Sequence, residues 1–349
     1  MKKVSIIMPV YNMADRIIAS VEALLEQTYP FVEIIIVDDG STDKSYTECL
    51  LFAKEHENVK VYHTENQGAG PARNYGITVA TGDYAYFPDA DDLLEKNAIK
   101  RLVEAMNDQQ GDLIIFGFQT IGKNGNVTST RKYSKNVISG SLVRGNYEHF
   151  LSIHKPFWIQ GAPWNKFFDL HLIKERSIIF PPLRRHQDEV FISRYVQHVH
   201  QVRFISDVLY TYHTNDVRKE WEKYPTNYLD IAMDLKKYRE EIITEWNPNN
   251  SAVKEIIERE YIFNVTKGFE LSFSKKMGLN RKKRKEWLTQ MVEKTKMENL
   301  NIPHTPSMKY QAKVLTLIKS NKQNQLYYLL LLKVFVQKNM YPLFSILKQ

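Results

Sequence analysis

The sequence Asp89-Ala90-Asp91-Asp92 ends the apolar run Tyr84-Ala85-Tyr86-Phe87. Two carboxylates one residue apart at a strand end can both turn toward one divalent cation, and hard oxygen ligands suit Mg²⁺ or Mn²⁺, ions that also hold phosphates. Acidic residues here can instead cap a following helix. Asp92 and Glu95 have capping-box spacing and are read that way, but a cap does not account for the pair Asp89 and Asp91. A second carboxylate pair, Asp38-Asp39, closes the run Glu33-Ile34-Ile35-Ile36-Val37, and a third carboxylate, Asp188, lies in RRHQDEVF beside Glu189. In GAGPARNYG the glycines permit close backbone approach, Pro71 suits a first helical turn, and Arg73 is the buriable cation within reach of the acidic motif. Ser41, Thr42 and Asp43 read as helix-capping residues.

These residues need elements to carry them. The first 120 residues alternate short β-branched runs with longer amphipathic stretches, which predicts an α/β domain with a parallel sheet. Strands are expected at 4–8, 33–37, 59–63, 84–87 and 113–118, and helices at 15–27, 43–56, 71–80 and 93–107. Ligands of open parallel sheets collect at the carboxyl ends of the strands, where Asp38 and Asp39 fall. The Gly-, Ser-, Asn- and Lys-rich stretch from about 120 to 145 predicts a hairpin or loop of the kind that covers a site. After Asn215 the pattern turns helical, with breaks at 246–250, Gly278, Pro303 and Pro306. The expected organisation is a domain over 1–215, with halves 1–118 and 119–215, and a helical region over 216–349.

A chain of 349 residues, 43% hydrophobic and 25% charged, is long enough for one large or two ordinary domains. Cys49 is the single cysteine, which excludes an internal disulfide framework and a four-cysteine zinc site and points to a reducing compartment. The start MKKVSIIMPVYN is broken at Pro9 and reads as a cytoplasmic first strand instead of a signal peptide. The net charge of +8 is uneven: residues 275–349 carry 16 Lys and Arg against 3 Asp and Glu, and the remainder is acidic. Such a tail can meet nucleic acid, an anionic membrane surface or an acidic substrate. It contains no nucleic-acid reader motif, so a nucleic-acid partner is not expected.

Four features occur in order: a strand ending in Pro9-Val10-Tyr11-Asn12, a strand ending in DDGSTD (Asp38 to Asp43), GAGPARNYG (Gly68 to Gly76) and the D-A-D-D at 89–92. Together they resemble the nucleotide-binding half of a family 2 glycosyltransferase with the GT-A fold, of the bacterial polysaccharide or teichoic-acid type. The likeness is close over about 4–110 and looser through APWNKFF (162–168), HQDEVF (186–191) and VLYTYH (208–213). It implies an inverting transferase that moves a hexose or N-acetylhexosamine from a UDP-sugar to a cell-surface glycan, teichoic-acid-like or lipid-linked acceptor, with Mn²⁺ or Mg²⁺ as cofactor. By that resemblance Pro9, Val10 and Tyr11 form a floor under the uracil, Asp39 accepts from its imide N–H, and Asp38 lies near the base or ribose. Arg73 joins the nucleotide region to the acidic motif, Asp89 and Ala90 contact the ribose or sugar, Asp91 ligates the metal, His213 completes the metal site, and Arg218 meets the diphosphate.

An inverting transfer needs one carboxylate on the acceptor side to take the hydroxyl proton, and the resemblance assigns this to Asp188, with Glu189 as rival. The family's Glu-Asp pair is Gln187-Asp188 here, one negative charge fewer. Gln187 and Trp164 are acceptor-side candidates. A sugar nucleotidyltransferase or an NAD-linked enzyme would carry a glycine-rich loop after the first strand, where this chain reads PVYNMAD. A nucleotide-sugar-binding scaffold without catalysis is the non-enzyme alternative, against which the intact D-x-D and Asp188 argue. The run LYYLLLLKVFV (326–336) beside lysines fits a helix lying on an anionic leaflet, a core helix or an oligomer contact. The expected location is therefore cytoplasmic, or peripheral on the inner face of the cell membrane.

Overall fold

The computed structural model describes residues 1–107, 112–122, 124–146, 159, 161–214, 224–246, 251–302 and 306–339. They fall into two compact units, Met1–Asp216 with Glu245–Asn247, and Val217–Thr244 with Pro248–Gln349. In the first unit β1 (Val4–Val10), β2 (Val32–Asp38), β3 (Val59–His63) and β4 (Tyr84–Tyr86) alternate with α1 (Ile17–Leu25), α2 (Ser45–Glu55) and α3 (Ala69–Val79). Then come β5 (Leu93–Leu94), α4 (Ala98–Asn107), β6 (Leu113–Ile121), β7 (Val127–Arg131), β8 (Asn136–Ser139) and α5 (Gly140–Gly145). The unit's last elements are β9 (Lys166–Asp169), α6 (Leu170–Glu175), α7 (Gln187–Val196) and β10 (Gln201–His213). The second unit holds α8 (Tyr228–Trp246), α9 (Ser251–Leu271), α10 (Arg281–Thr295), α11 (Lys309–Lys319) and α12 (Gln323–Asn339).

All strands share one sheet in the order β3-β2-β1-β4-β9-β6-β10-β5, with β7 on β6 and β8 on β10. The pairs β1–β2, β2–β3, β1–β4 and β6–β10 are parallel, as the crossover pattern predicts. The sheet is nevertheless mixed, because β9 runs antiparallel between β4 and β6. Four residues arriving from far along the chain have no local periodicity that would announce this insertion. β1 and β2 are buried at every position, which explains their unbroken apolar runs. The expected hairpin forms from β6 and β7. The arrangement is the GT-A fold, followed by a C-terminal helical region.

One expected element changes. The helix read over 93–107 begins only at Ala98, and Leu93–Leu94 pair with β10 instead. Asp92 is therefore not that helix's cap. Its carboxylate accepts from the Tyr210 hydroxyl at 2.7 Å and from the His213 N–H at 2.7 Å, so it fastens the motif to β10.

The carboxyl ends of β1, β2 and β3 line up through Val10↔Asp38 and Asp38↔His63, while Glu33 anchors the opposite edge. Glu33 is buried; burial alone would raise its pKa, but the Ser5 hydroxyl, the Thr81 N–H and the Lys3 ammonium overcome this and hold it at about 2. Its folded-state pKa lies below the unfolded value, so its contribution is present above about pH 4.5 and disappears as pH falls toward 2. Because Lys3 and Lys60 are solvated and screened, about 2 kcal/mol is expected from it. In urea melts between pH 3 and pH 7, Glu33→Gln should lose about that much at neutral pH and show a flatter acid limb than the native chain.

Candidate active site

Three loops meet at the carboxyl edge of the sheet. Asn12, in the left-handed region at φ 52°, receives the Thr42 N–H on its side-chain oxygen at 2.8 Å and donates its own N–H to the Ser41 hydroxyl at 3.0 Å. The Met13 and Ala14 amides donate to Ser45 and Asp43. Ser41 and Thr42 thus stitch the loop after β1 to the loop after β2, and the Asp43 carboxylate also receives the Ser45 N–H at the start of α2. Both oxygens of Asp39 accept backbone amides, Gln67 and Gly68, each at 2.8 Å, which brings in the loop before α3. Gly40 has φ 70°, and a Cβ there would stand 2.8 Å from the Asn66 nitrogen, so this turn needs glycine. Asp38 is fully buried, receives the Ser41 N–H and lies 2.7 Å from Nδ1 of His63.

Of the expected uracil floor, Pro9 and Val10 are buried in β1, and Tyr11 alone presents its ring, 44% exposed. Pro9 falls where β1 has already outrun β4, which pairs only with Val4 to Ile6, so the missing N–H leaves no ladder bond unmade on that edge. Ala90 is buried in the core, and its carbonyl, with that of Asp92, receives the Ser20 hydroxyl from α1. Its side chain therefore faces inward, away from any ligand. Tyr210 closes the other side: its hydroxyl donates to Asp92 and accepts the Asp89 N–H at 3.2 Å.

Arg73 is 3% exposed on α3. One guanidinium arm meets Asp89 at 2.7 Å and the other meets Asp188 at 3.1 Å. The guanidinium also lies over the Phe180 ring at 5.3 Å, and Phe180 stacks on Phe191 of α7 with centroids 3.8 Å apart. Asn74 fixes that shelf by exchanging two hydrogen bonds with the Phe180 backbone. Asp89 and Asp188 are each about a third exposed. Burial raises Asp89 to about 6, with Arg73 pulling it down and Asp188 and Asp91 pushing it up. Burial also raises Asp188, against the opposing charges of Arg73, Lys166 and His186. Lys166 is fully buried, donates to the Ala162 carbonyl and the Asn165 side chain, and is drawn down by burial to about 7.

The structure separates Asp188 from its rival. Glu189 is buried, with Oε2 3.6 Å from Nδ1 of His186, whereas Asp188 faces Arg73 and solvent from the first turn of α7. Gln187 is buried, with its side-chain oxygen directly against Gly70, where any Cβ would collide with it. Trp164, expected on the acceptor side, belongs to the core: it stacks on Tyr210 at 4.7 Å and Tyr212 at 5.6 Å and is 9% exposed. His213 comes beside the motif through its N–H to Asp92, and its Nδ1 is buried without a hydrogen-bond partner. No group of three metal-ligating side chains converges among the described residues. A carboxylate at Asp91 and the imidazole of His213, whose backbone N–H is held by Asp91's neighbour Asp92, nonetheless fit a cation that takes its remaining ligands from phosphate and water. Arg218 lies outside the described residues.

Sequence reasoning missed Tyr210, Phe180, Asn74 and His63. For Tyr210 a signal existed, the two-residue alternation Tyr210, Tyr212 on a strand, and Asn74 sits beside Arg73 in the glycine-rich motif; Phe180 and His63 are joined to the site only through space.

A mixed α/β sheet with a strand-end acidic motif facing a carboxylate across a shared arginine defines a glycosyltransferase of the GT-A class. The model of Glycosyl transferase family 2 matches residues 5–160. Glycosyltransferase GlyG of Streptococcus pneumoniae is 32% identical over 60% of this chain and 70% of its own length. The putative glycosyltransferase EpsH of Bacillus subtilis is 30% identical over 69% and 73%. This chain belongs to glycosyltransferase family 2. Among solved structures, S. aureus TarS 1-349 in complex with UDP superposes with a TM-score of 0.60 over 97% of this chain and 92% of that one, at 18% identity, a likeness of fold. The mannosyltransferase PcManGT of Pyrobaculum calidifontis, solved with GDP-Man and Mn²⁺, superposes with a TM-score of 0.52 at 16% identity, over 92% and 87%.

Replacing Arg73 by Met removes the bridge between Asp89 and Asp188, and the loss of that positioning is expected to slow transfer about 100-fold. Arg73→Lys restores charge without the two-armed geometry and should recover only part of that rate. Transfer rates of the two variants, with near-ultraviolet circular dichroism to check folding, measure this; native rates in Arg73→Met would refute it.

Proposed function

We propose that this glycosyltransferase moves a hexose or N-acetylhexosamine with inversion from a UDP-sugar to a hydroxyl of a cell-surface glycan, teichoic-acid-like or lipid-linked acceptor. The observation that carries the reading is the shared guanidinium: Arg73 holds Asp89 of the acidic motif and Asp188 of α7 on one cation. A UDP donor is supported by the relatives of fold, since TarS was solved with UDP and with UDP-GlcNAc. The exposed Tyr11 ring offers the base a flat apolar face. Asp39 spends one lone pair per oxygen on Gln67 and Gly68 and keeps another on each for the imide N–H.

Asp188 takes the acceptor proton. Its raised pKa brings the carboxylate closer to neutrality, where a base is effective, and Arg73 orients it while keeping it ionised. The acceptor oxygen attacks the anomeric carbon from the face opposite the departing diphosphate, so no covalent intermediate forms. Asp91 and His213 are the residues proposed to hold Mn²⁺ or Mg²⁺, which when bound supplies charge neutralisation for the diphosphate. The nitrogen donor favours Mn²⁺ of the two.

Calorimetric titration of UDP tests the donor half. Binding should appear with Mn²⁺, weaken in EDTA and be lost in Asp91→Ala. Asp188→Ala should bind UDP as the native chain does while transfer falls by at least about 100-fold. Retained transfer would remove Asp188 from the mechanism, and a folded native chain that binds no UDP with or without Mn²⁺ would overturn the UDP assignment.

A further inference from the structure

In the C-terminal unit, α12 is apolar around its whole circumference, and a single face is used by the unit's core. Leu326, Tyr327, Leu330 and Val334 are buried with α9, α10 and α11 residues such as Phe269, Leu288 and Leu315. The other face carries Tyr328, Leu331, Leu332 and Phe335, exposed by 50%, 38%, 60% and 60%. Their spacing, i, i+3, i+4 and i+7, places them on one stripe. Among the described residues no other element of the unit covers it. Soluble proteins seldom leave a contiguous stripe of four large apolar side chains to water unless something binds it.

The rim of this stripe is basic. α10 opens with Arg281-Lys282-Lys283-Arg284-Lys285 and packs beside α12. Arg281 donates to the Tyr328 hydroxyl at 2.6 Å, and Lys285 lies over the Tyr327 and Tyr328 rings at 5.3 and 5.9 Å. Arg281, Lys282 and Lys283 are exposed. From residue 275 onward the chain has 16 basic residues against 3 acidic ones. A second copy of so basic a surface would repel the first, whereas an anionic sheet with an apolar interior complements both the charge and the stripe. No helix among the described residues is long and apolar enough to cross a membrane, so α12 would lie on such a surface, not span it.

We propose that this face docks the enzyme on an anionic lipid bilayer, with Tyr328, Leu331, Leu332 and Phe335 entering the headgroup boundary and the basic start of α10 meeting lipid phosphates. Tyr328, whose hydroxyl already meets Arg281, belongs at the level where an apolar ring and a polar tip are both satisfied. The assignment stands on surface chemistry and is independent of the donor reading.

Vesicle flotation of the full chain tests it, with phosphatidylcholine vesicles compared with vesicles that also contain phosphatidylglycerol. The native chain should float with the anionic vesicles alone and be released by high salt. Each basic residue at such a surface is worth about 1 kcal/mol, roughly fivefold, so Arg281→Glu with Lys282→Glu should weaken partitioning about twentyfold or more. Leu332→Gln with Phe335→Gln should also abolish flotation, and both double variants should keep the native near-ultraviolet circular dichroism, which reports folding separately from docking. Three results would overturn the proposal: no flotation of the native chain, flotation indifferent to lipid charge, or a native dimer in sedimentation that the Leu332/Phe335 variant dissolves. Flotation that begins only after removal of residues 340–349 would overturn it as well, by making the chain's own apolar end the occupant of the stripe.

Discussion

A guanidinium charge kept almost wholly from water is the constraint around which the catalytic unit is arranged. Burying an unpaired cation costs several kcal/mol, so Arg73 demands carboxylates, and it draws them from opposite ends of the unit. Asp89 comes from the end of β4 and Asp188 from the first turn of α7, 115 residues further along the chain than Arg73. Phe180 and Phe191 form the apolar shelf beneath the cation. α3 reaches this position because Gly76 lets it approach Ile7 of β1 more closely than any side chain would allow. The same bridge sets the electrostatics, since the cation opposes the burial that would otherwise keep both carboxyls neutral.

The acidic motif is held from behind with equal economy. Asp92 and the Ala90 carbonyl tie the loop to β10 and α1 through Tyr210, the His213 backbone and Ser20. Asp89 and Asp91 are then presented by a loop whose neighbours have no freedom to move, the kind of support that fixes a reacting group to within a fraction of an ångström. Trp164 strengthens this clasp by stacking on Tyr210, so an aromatic residue that resembles a sugar platform is a structural brace instead.

The C-terminal unit follows a different logic. Its core draws on all five of its helices, and the surplus apolar face of α12 lies beside the strongest concentration of positive charge in the chain.

The sequence alone determined the strands β1 to β4 and the helices α1 to α3, because buried parallel strands write continuous apolar runs and crossover helices write a 3.6-residue period. It also determined the acidic motif, the glycine-rich turn before Arg73 and the carboxylate at Asp188, because residue types at fixed local spacing are visible without coordinates. What it misjudged was local in sequence but decided at a distance: Asp92 has the spacing of a helix cap, yet β10 captures its carboxylate. The insertion of β9 between β4 and β6, the choice of Asp188 over Glu189 and the joining of Asp89 to Asp188 belonged to the tertiary structure. Each depends on which residues meet across more than fifty residues of chain, and the burial that makes Arg73 require two anions exists only once the sheet and α7 have come together.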